Sequence, residues 1–200
     1  MGYFWAEFRK INNEMFRFNT RIYLNNILTP EENDICIGAV VGKNPGTAKP
    51  SNVVGCIQPI NLDGDKLLPN VRSILLKSYA RENLSIPERG YVQVLNFFYH
   101  CNANLEEAIN TMNKIQSLII GNSEKKLFPW LWYLWGGSDF SLNKFKNRFA
   151  SINTKSHFYY NQSAARIENS AATKDSFARH TQGLSHELVV PYIASILKAG

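Results

Sequence analysis

Four short apolar runs, each separated from the next by a stretch with helical spacing, constrain this chain most. They occupy residues 35–41, 91–96, 130–135 and 157–160, and are rich in Val, Ile, Leu, Trp, Tyr and Phe. Short continuous apolar runs of this kind read as strands buried on both faces. Pro69 opens a helix with Val71, Ile74, Leu75 and Tyr79 on one face. Asn104 caps another, with Leu105, Ala108, Ile109, Met112, Ile115 and Ile119 on one stripe and Gly121 as its stop. Residues 141–149 read as a short amphipathic helix. The last helix runs from His186 to about Lys198, with Pro191 as a kink point. Strands alternating with helices predict a single α/β domain over residues 1–200 with a mostly parallel sheet. Phe4, Phe8, Ile11 and Met15 fall at helical spacing, so residues 3–16 are expected as a helical appendage. Residues 43–68, dense in Pro and other turn formers, are expected as a long functional loop.

In an open parallel sheet, ligands bind beyond the carboxyl ends of the strands. That rule selects Asn44, the stretch from Asn96 to Tyr99, Gly136-Gly137 and the loop beyond Tyr160. Charge adds a partner class. Between Ser141 and His180 lie seven bases (Lys144, Lys146, Arg148, Lys155, Arg166, Lys174, Arg179) against two acids (Glu168, Asp175). The rest of the chain carries fifteen against fourteen, so the net +6 is concentrated in one segment. Such a segment reads as a footprint for a polyanion or as an unevenly charged soluble surface. Cys36, Cys56 and Cys101 are odd in number and widely spaced. That argues against a disulfide framework or zinc site and for reduced thiols in a cytoplasmic protein. No apolar run is long enough to span a membrane, and the first residues do not read as a signal peptide.

Three local patterns carry chemistry. Gly42-Lys43-Asn44-Pro45-Gly46 reads either as a tight turn or as a strand-end loop presenting an amide to a ligand. Asn96, where a buried strand stops, either caps the next segment or offers a donor and acceptor edge to a base. His180-Thr181-Gln182-Gly183-Leu184-Ser185 leads into the last helix. There Leu184 alone would be an ordinary staple. A nucleophile elbow at Ser138-Asp139, a zinc helix at His186-Glu187 and a Lys-Ser/Thr phosphate loop all lack the residues they need. Trp130, Trp132 and Trp135 read as core.

In order and pattern these segments resemble the uracil-DNA glycosylase superfamily. That family carries a G-x-[DN]-P-[YG] motif, a strand ending in Asn, a strand ending in Trp-Gly, and an H-x-S-P-L-S motif. Here they read Gly42-Lys43-Asn44-Pro45-Gly46, Val94-Leu95-Asn96, Leu134-Trp135-Gly136 and His180 to Ser185. The Asn-Pro-Gly form is similar to the mismatch-specific branches. Asn44-Pro45-Gly46-Thr47-Ala48 is similar to an N-P-S-T-A motif in a family of small bacterial and phage proteins. The resemblance implies a three-layer α/β/α sandwich around a central four-stranded, mostly parallel sheet. It also implies a monomeric DNA N-glycosylase that needs neither cofactor nor metal and acts on a base extruded from double-stranded DNA. By the same resemblance Asn44 positions the attacking water and His180 stabilises the departing base. Gly42, Lys43, Pro45, Gly46, Asn96 and Phe97 would hold the base. Leu184 would wedge into the duplex, with Ser185, Lys144, Lys146, Arg148, Lys155 and Arg179 contacting DNA.

The departures bear on substrate. Gly46 stands where uracil-specific members carry a Tyr that blocks C5 of the pyrimidine. Between Asn44 and Tyr79 there is no aromatic to stack on a base, which leaves Phe97 or Phe98. The last motif has Gln182-Gly183 in place of Ser-Pro. A pocket wider than a uracil slot follows from the resemblance, favouring a bulky C5-modified cytosine such as the glucosylated hydroxymethyl form, and a role in antiviral defence. The alternatives are a uracil or mismatch repair glycosylase, a DNA-binding module without catalysis, and a hydrolase of free nucleosides.

Overall fold

A computed structural model describes residues 2–46, 50, 55–62, 64–115, 119–137 and 139–199. The expected residues Thr47, Ala48 and Ser138, and part of the stretch expected to carry the second helix to residue 119, lie outside the described residues. The elements are β1 (Gly2–Ile11), β2 (Glu14–Ile27), β3 (Ile35–Gly42), β4 (Ile57–Pro59), α1 (Leu67–Arg81), β5 (Gly90–Asn96), α2 (Leu105–Lys114), β6 (Leu131–Tyr133), α3 (Asn143–Lys146), β7 (His157–Asn161), β8 (Arg166–Glu168) and α4 (Val190–Ala199). The chain is α/β, with one mixed eight-stranded sheet in the order β4-β1-β2-β5-β3-β6-β7-β8. It is wider than the expected four strands. β3 pairs in parallel with β5 and β6, and β6 with β7. The remaining pairs are antiparallel.

Side chains alternate across the parallel strands and build two cores. Val40, Val92, Val94, Trp132 and Phe158 pack with α1 and α4. Ala39, Val41, Leu95, Tyr133 and Tyr159 pack with α2 and the helical run at 140–151. Both faces of these strands are therefore dry, which is why their sequences are apolar without interruption. Gly38 is required in β3 because a Cβ there would lie 2.1 Å from the Trp130 ring.

The expected N-terminal helix over residues 3–16 is instead the hairpin β1–β2. Phe4, Ala6 and Phe8 alternate onto one face, and Trp5 enters a smaller cluster with Tyr23 and Tyr91. Asn12 and Asn13, with φ of 51° and 65°, make the two-residue turn, a backbone that Asn tolerates better than most residues. At Asn19, φ is 47° and the register shifts between Trp5 and Glu7 on the partner strand. Beyond this bulge Phe16 and Phe18 face the second core, while Ile22 and Leu24 face the first.

Two helix ends also differ from expectation. α1 begins at Leu67, before Pro69, because the Asp65 Oδ1 accepts from the Leu67 and Leu68 N–H groups at 2.8 and 3.2 Å. Pro191 does not kink the last helix. It sits in the first turn of α4, where its missing N–H has no partner to lose.

Candidate functional site

The carboxyl ends of β3, β5, β6 and β7 open into a crevice. One lobe of it, about 420 Å³, is lined by Lys43, Asn44, Pro45 and Gly46 after β3, by Leu62, Gly64, Asp65, Lys66 and Leu67 leading into α1, and by Arg17, Ala103, His180 and Gln182. A second lobe of about 570 Å³ shares Lys43, His180 and Gln182 and adds Trp135, Gly136, Gly137, Phe177 and Arg179. Each lobe falls in the usual range for small-molecule sites, about 300–1,000 Å³.

His180 reaches this place because residues 177–179 are laid across the strand ends. Gly136 N–H donates to Ala178 O at 2.7 Å, Arg179 N–H to Tyr160 O at 2.9 Å, and Gln162 N–H to Phe177 O at 3.1 Å. The Gln182 N–H donates to His180 Nδ1 at 3.1 Å, so the neutral ring carries its proton on Nε2. Burial, then the nearby Lys43 and Arg179 charges, hold the imidazole pKa below its usual value, with Asp65 opposing them. The ring is thus a neutral Nε2–H donor near pH 7.

Asn44 is tied from the other side. Its Nδ2 donates to Asn102 O at 2.7 Å, which leaves the amide oxygen as the remaining acceptor and links the loops after β3 and β5. Gly46, at φ 66°, has nothing among the described residues within 4 Å of where a Cβ would project, so they leave the wall open there. Asn96 is 1% exposed and does not line the cavity itself. Neither Nδ2 nor Oδ1 of its carboxamide has a partner among the described residues. The amide packs against Gly42, where a Cβ would come within 3.0 Å of Oδ1.

Several expected contacts are corrected. Phe97 is in the interior, 5.2 Å from Trp135 and 5.9 Å from Phe149 between ring centroids, and Phe98 is likewise sealed against Phe145. Neither can stack on a base. Leu184 is 6% exposed and belongs to the core with α1 and α4, so it is not a protruding wedge. Lys146 is buried, donating to Lys174 O at 2.8 Å and Asn143 Oδ1 at 3.2 Å. Arg148 is spent on Glu124, at 2.9 and 3.2 Å, and on the Asn96 carbonyl at 2.7 Å. Lys155 precedes β7 and lies at the opposite end of the sheet, beside an apolar cavity of about 600 Å³. Lys144 is exposed and bonded to Asn113, and Ser185 is exposed. Of the expected DNA contacts, Arg179 lines the crevice.

Two crevice residues were not singled out in the sequence. Arg17, on β2, is 2% exposed, and its Nε and Nη1 have no partner among the described residues. Its Nη2 lies 3.9 Å from Asp65 Oδ2. Burial lowers the Arg17 pKa, and Asp65 partly offsets that. Asp65 was legible as a helix cap, since Asp just before an apolar helical run is a start signal. Arg17 would have stood out had Phe16-Arg17-Phe18 been read as strand, because its neighbours are aromatic and its own side chain faces the first core.

Compared with protein-family models, curated proteins and solved structures, the chain matches none.

Proposed function

We propose that this protein hydrolyses the N-glycosidic bond of a modified pyrimidine extruded from DNA, and that a bulky C5-substituted cytosine, such as the glucosylated hydroxymethyl form, fits better than uracil. One observation carries the reading. Asn44 and His180, far apart in the chain, line a single cavity at the carboxyl ends of the parallel strands. The parallel strands β5-β3-β6-β7, packed by helices on both faces, support the likeness to uracil-DNA glycosylases. Asn96, expected to hold the base, lies behind Gly42 outside the cavity lining and lends the reading no direct contact. The open wall at Gly46 supports a bulky C5 group.

In this reading the His180 Nε2–H donates to the oxygen on which negative charge collects as the base departs. Asn44 Oδ1 accepts a hydrogen bond from the attacking water and orients it. Lys43 and Arg179 hold flanking phosphates at the rim of the second lobe.

A second reading, hydrolysis of free nucleosides, is favoured by the burial of Leu184 and the internal pairing of Lys146 and Arg148, which remove much of the expected grip on a duplex. Incubation with duplexes containing uracil, mismatches or glucosylated hydroxymethylcytosine, followed by alkali to cut abasic sites, tests the proposal. Strand cleavage at the glucosylated base, lost in Asn44→Ala and His180→Ala with DNA binding kept, is the expected result. Release from free nucleosides alone would select the second reading. Cleavage of uracil DNA alone would reject the substrate, and release from no duplex would reject the glycosylase.

A further inference from the structure

We propose that Asp65 is the general base of this crevice, supplying the carboxylate that the amide at position 44 cannot. The inference rests on the glycosidic-hydrolysis reading above and assigns a reacting group that it lacks. An amide oxygen orients water but does not hold a proton near neutral pH, so a site built on Asn44 alone leaves the water's proton without a destination.

Asp65 enters the same cavity from the loop before α1. Its two oxygens have different tasks. Oδ1 is fixed by the N–H groups of Leu67 and Leu68 at 2.8 and 3.2 Å, so the carboxylate is held rigidly by the helix start. Oδ2 has its charged neighbour, Arg17 Nη2, at 3.9 Å, beyond hydrogen-bonding distance. A second observation points to a ligand at this wall. Arg17 is 2% exposed, lines the cavity and has two unpartnered nitrogens, an unusual state for a guanidinium among the described residues. The guanidinium therefore stands against Oδ2 on the inner side of the cavity wall.

The step balances. The bond from the anomeric carbon to the base nitrogen breaks, and its electron pair leaves with the base. Water oxygen bonds to the anomeric carbon, and its proton passes to Asp65 Oδ2. The base anion, held by His180 Nε2–H, then takes up that proton and the carboxylate is restored. The negative carboxylate also faces the oxocarbenium character of the sugar, where its charge favours the transition state.

Asp65→Asn removes the base and keeps the cap, because Asn caps helices as well as Asp. Asp65→Ser, also a good cap, is the second variant should the first misfold. For the duplex that the wild type cleaves, kcat should fall by about 10²- to 10⁴-fold in either variant while KM stays close to wild type, and both variants should melt below wild type because buried Arg17 loses its charged neighbour. Adding Asn44→Asp to Asp65→Asn should return part of the lost rate, which a merely structural role at position 65 would not allow. Wild-type kcat in a folded Asp65→Asn or Asp65→Ser protein would overturn the proposal while leaving the glycosylase reading intact. A wild type that releases no base from any glycoside would remove that reading and this one with it.

Discussion

Leu184→Ala separates an interior role from a duplex-facing one with a stability measurement alone. The side chain is 6% exposed within the core shared by α1 and α4. The substitution deletes three carbons, and at about 0.8 kcal/mol per buried carbon the transfer loss is roughly 2.4 kcal/mol. A residual cavity adds to this, and buried Leu→Ala changes run from about 2 to 5 kcal/mol. Leu184 sits in a loop between Gly183 and the turn at His186–Leu188, which can settle inward, so about 3 kcal/mol is expected. In a domain of this size each kcal/mol lowers Tm by about 2–4 °C, giving a fall of roughly 6–12 °C. Calorimetry or circular dichroism melts read this directly, and urea titration should move the midpoint with an unchanged slope. A Tm within about 1 °C of wild type would refute the packing argument and restore Leu184 as a surface wedge.

Other outcomes follow from the same geometry. His180, with its pKa lowered by burial and Lys43, binds fewer protons folded than unfolded. Stability should therefore hold above about pH 6.5 and decline as pH falls through the unfolded value, and His180→Asn should flatten part of that slope in melts taken from pH 8 to 5. Gly38→Ala drives a Cβ to 2.1 Å from Trp130, so a loss of about 1–3 kcal/mol or more is expected in chemical denaturation. Arg148→Met strips the partner from buried Glu124 and should cost about 3–5 kcal/mol. Were Arg148 a phosphate ligand instead, the variant would be stable and the slope of log K on log salt would fall by about 1.

The parallel strands were readable because each is buried on both sides, which leaves little in the sequence but apolar residues. The hairpin was not, since Phe4, Phe8, Ile11 and Met15 satisfy a helical period by coincidence. Its true period of two was masked by Trp5, which is buried on the opposite face from Phe4 and Ala6. A bulge at Asn19 then switches the faces of β2 midway, so no single period covers it. Position at a strand end pointed to Asn44, whereas His180, a lone loop imidazole, was singled out through the family resemblance, and the two line one cavity. Charge could not say which bases are free. Arg148 is consumed by Glu124, from another part of the chain, and nothing local in residues 141–149 reveals it.

The crevice is also where the fold tolerates most polar mismatch. Among the described residues, Arg17 and Asn96 are the side chains with two unpartnered buried polar atoms each. An unmet buried donor or acceptor costs about 1–3 kcal/mol, so apolar substitutes at these positions would be favoured if folding were the sole constraint. Both belong to the same end of the sheet. Arg17 lines the cavity, and Asn96 lies behind Gly42, whose missing side chain is what gives the amide its room. The opposite end carries a cavity of comparable size lined by Ile35, Ile37, Leu84, Trp130, Ile196 and Leu197, a surface with few polar groups to satisfy. The guanidinium left unmatched at the strand ends, where Asn44 and His180 stand, supports the proposal of a polar ligand there. In the proposed reaction the groups on that wall are donors, the Arg17 guanidinium and the neutral His180 Nε2–H, which suit a ligand with carbonyl oxygens.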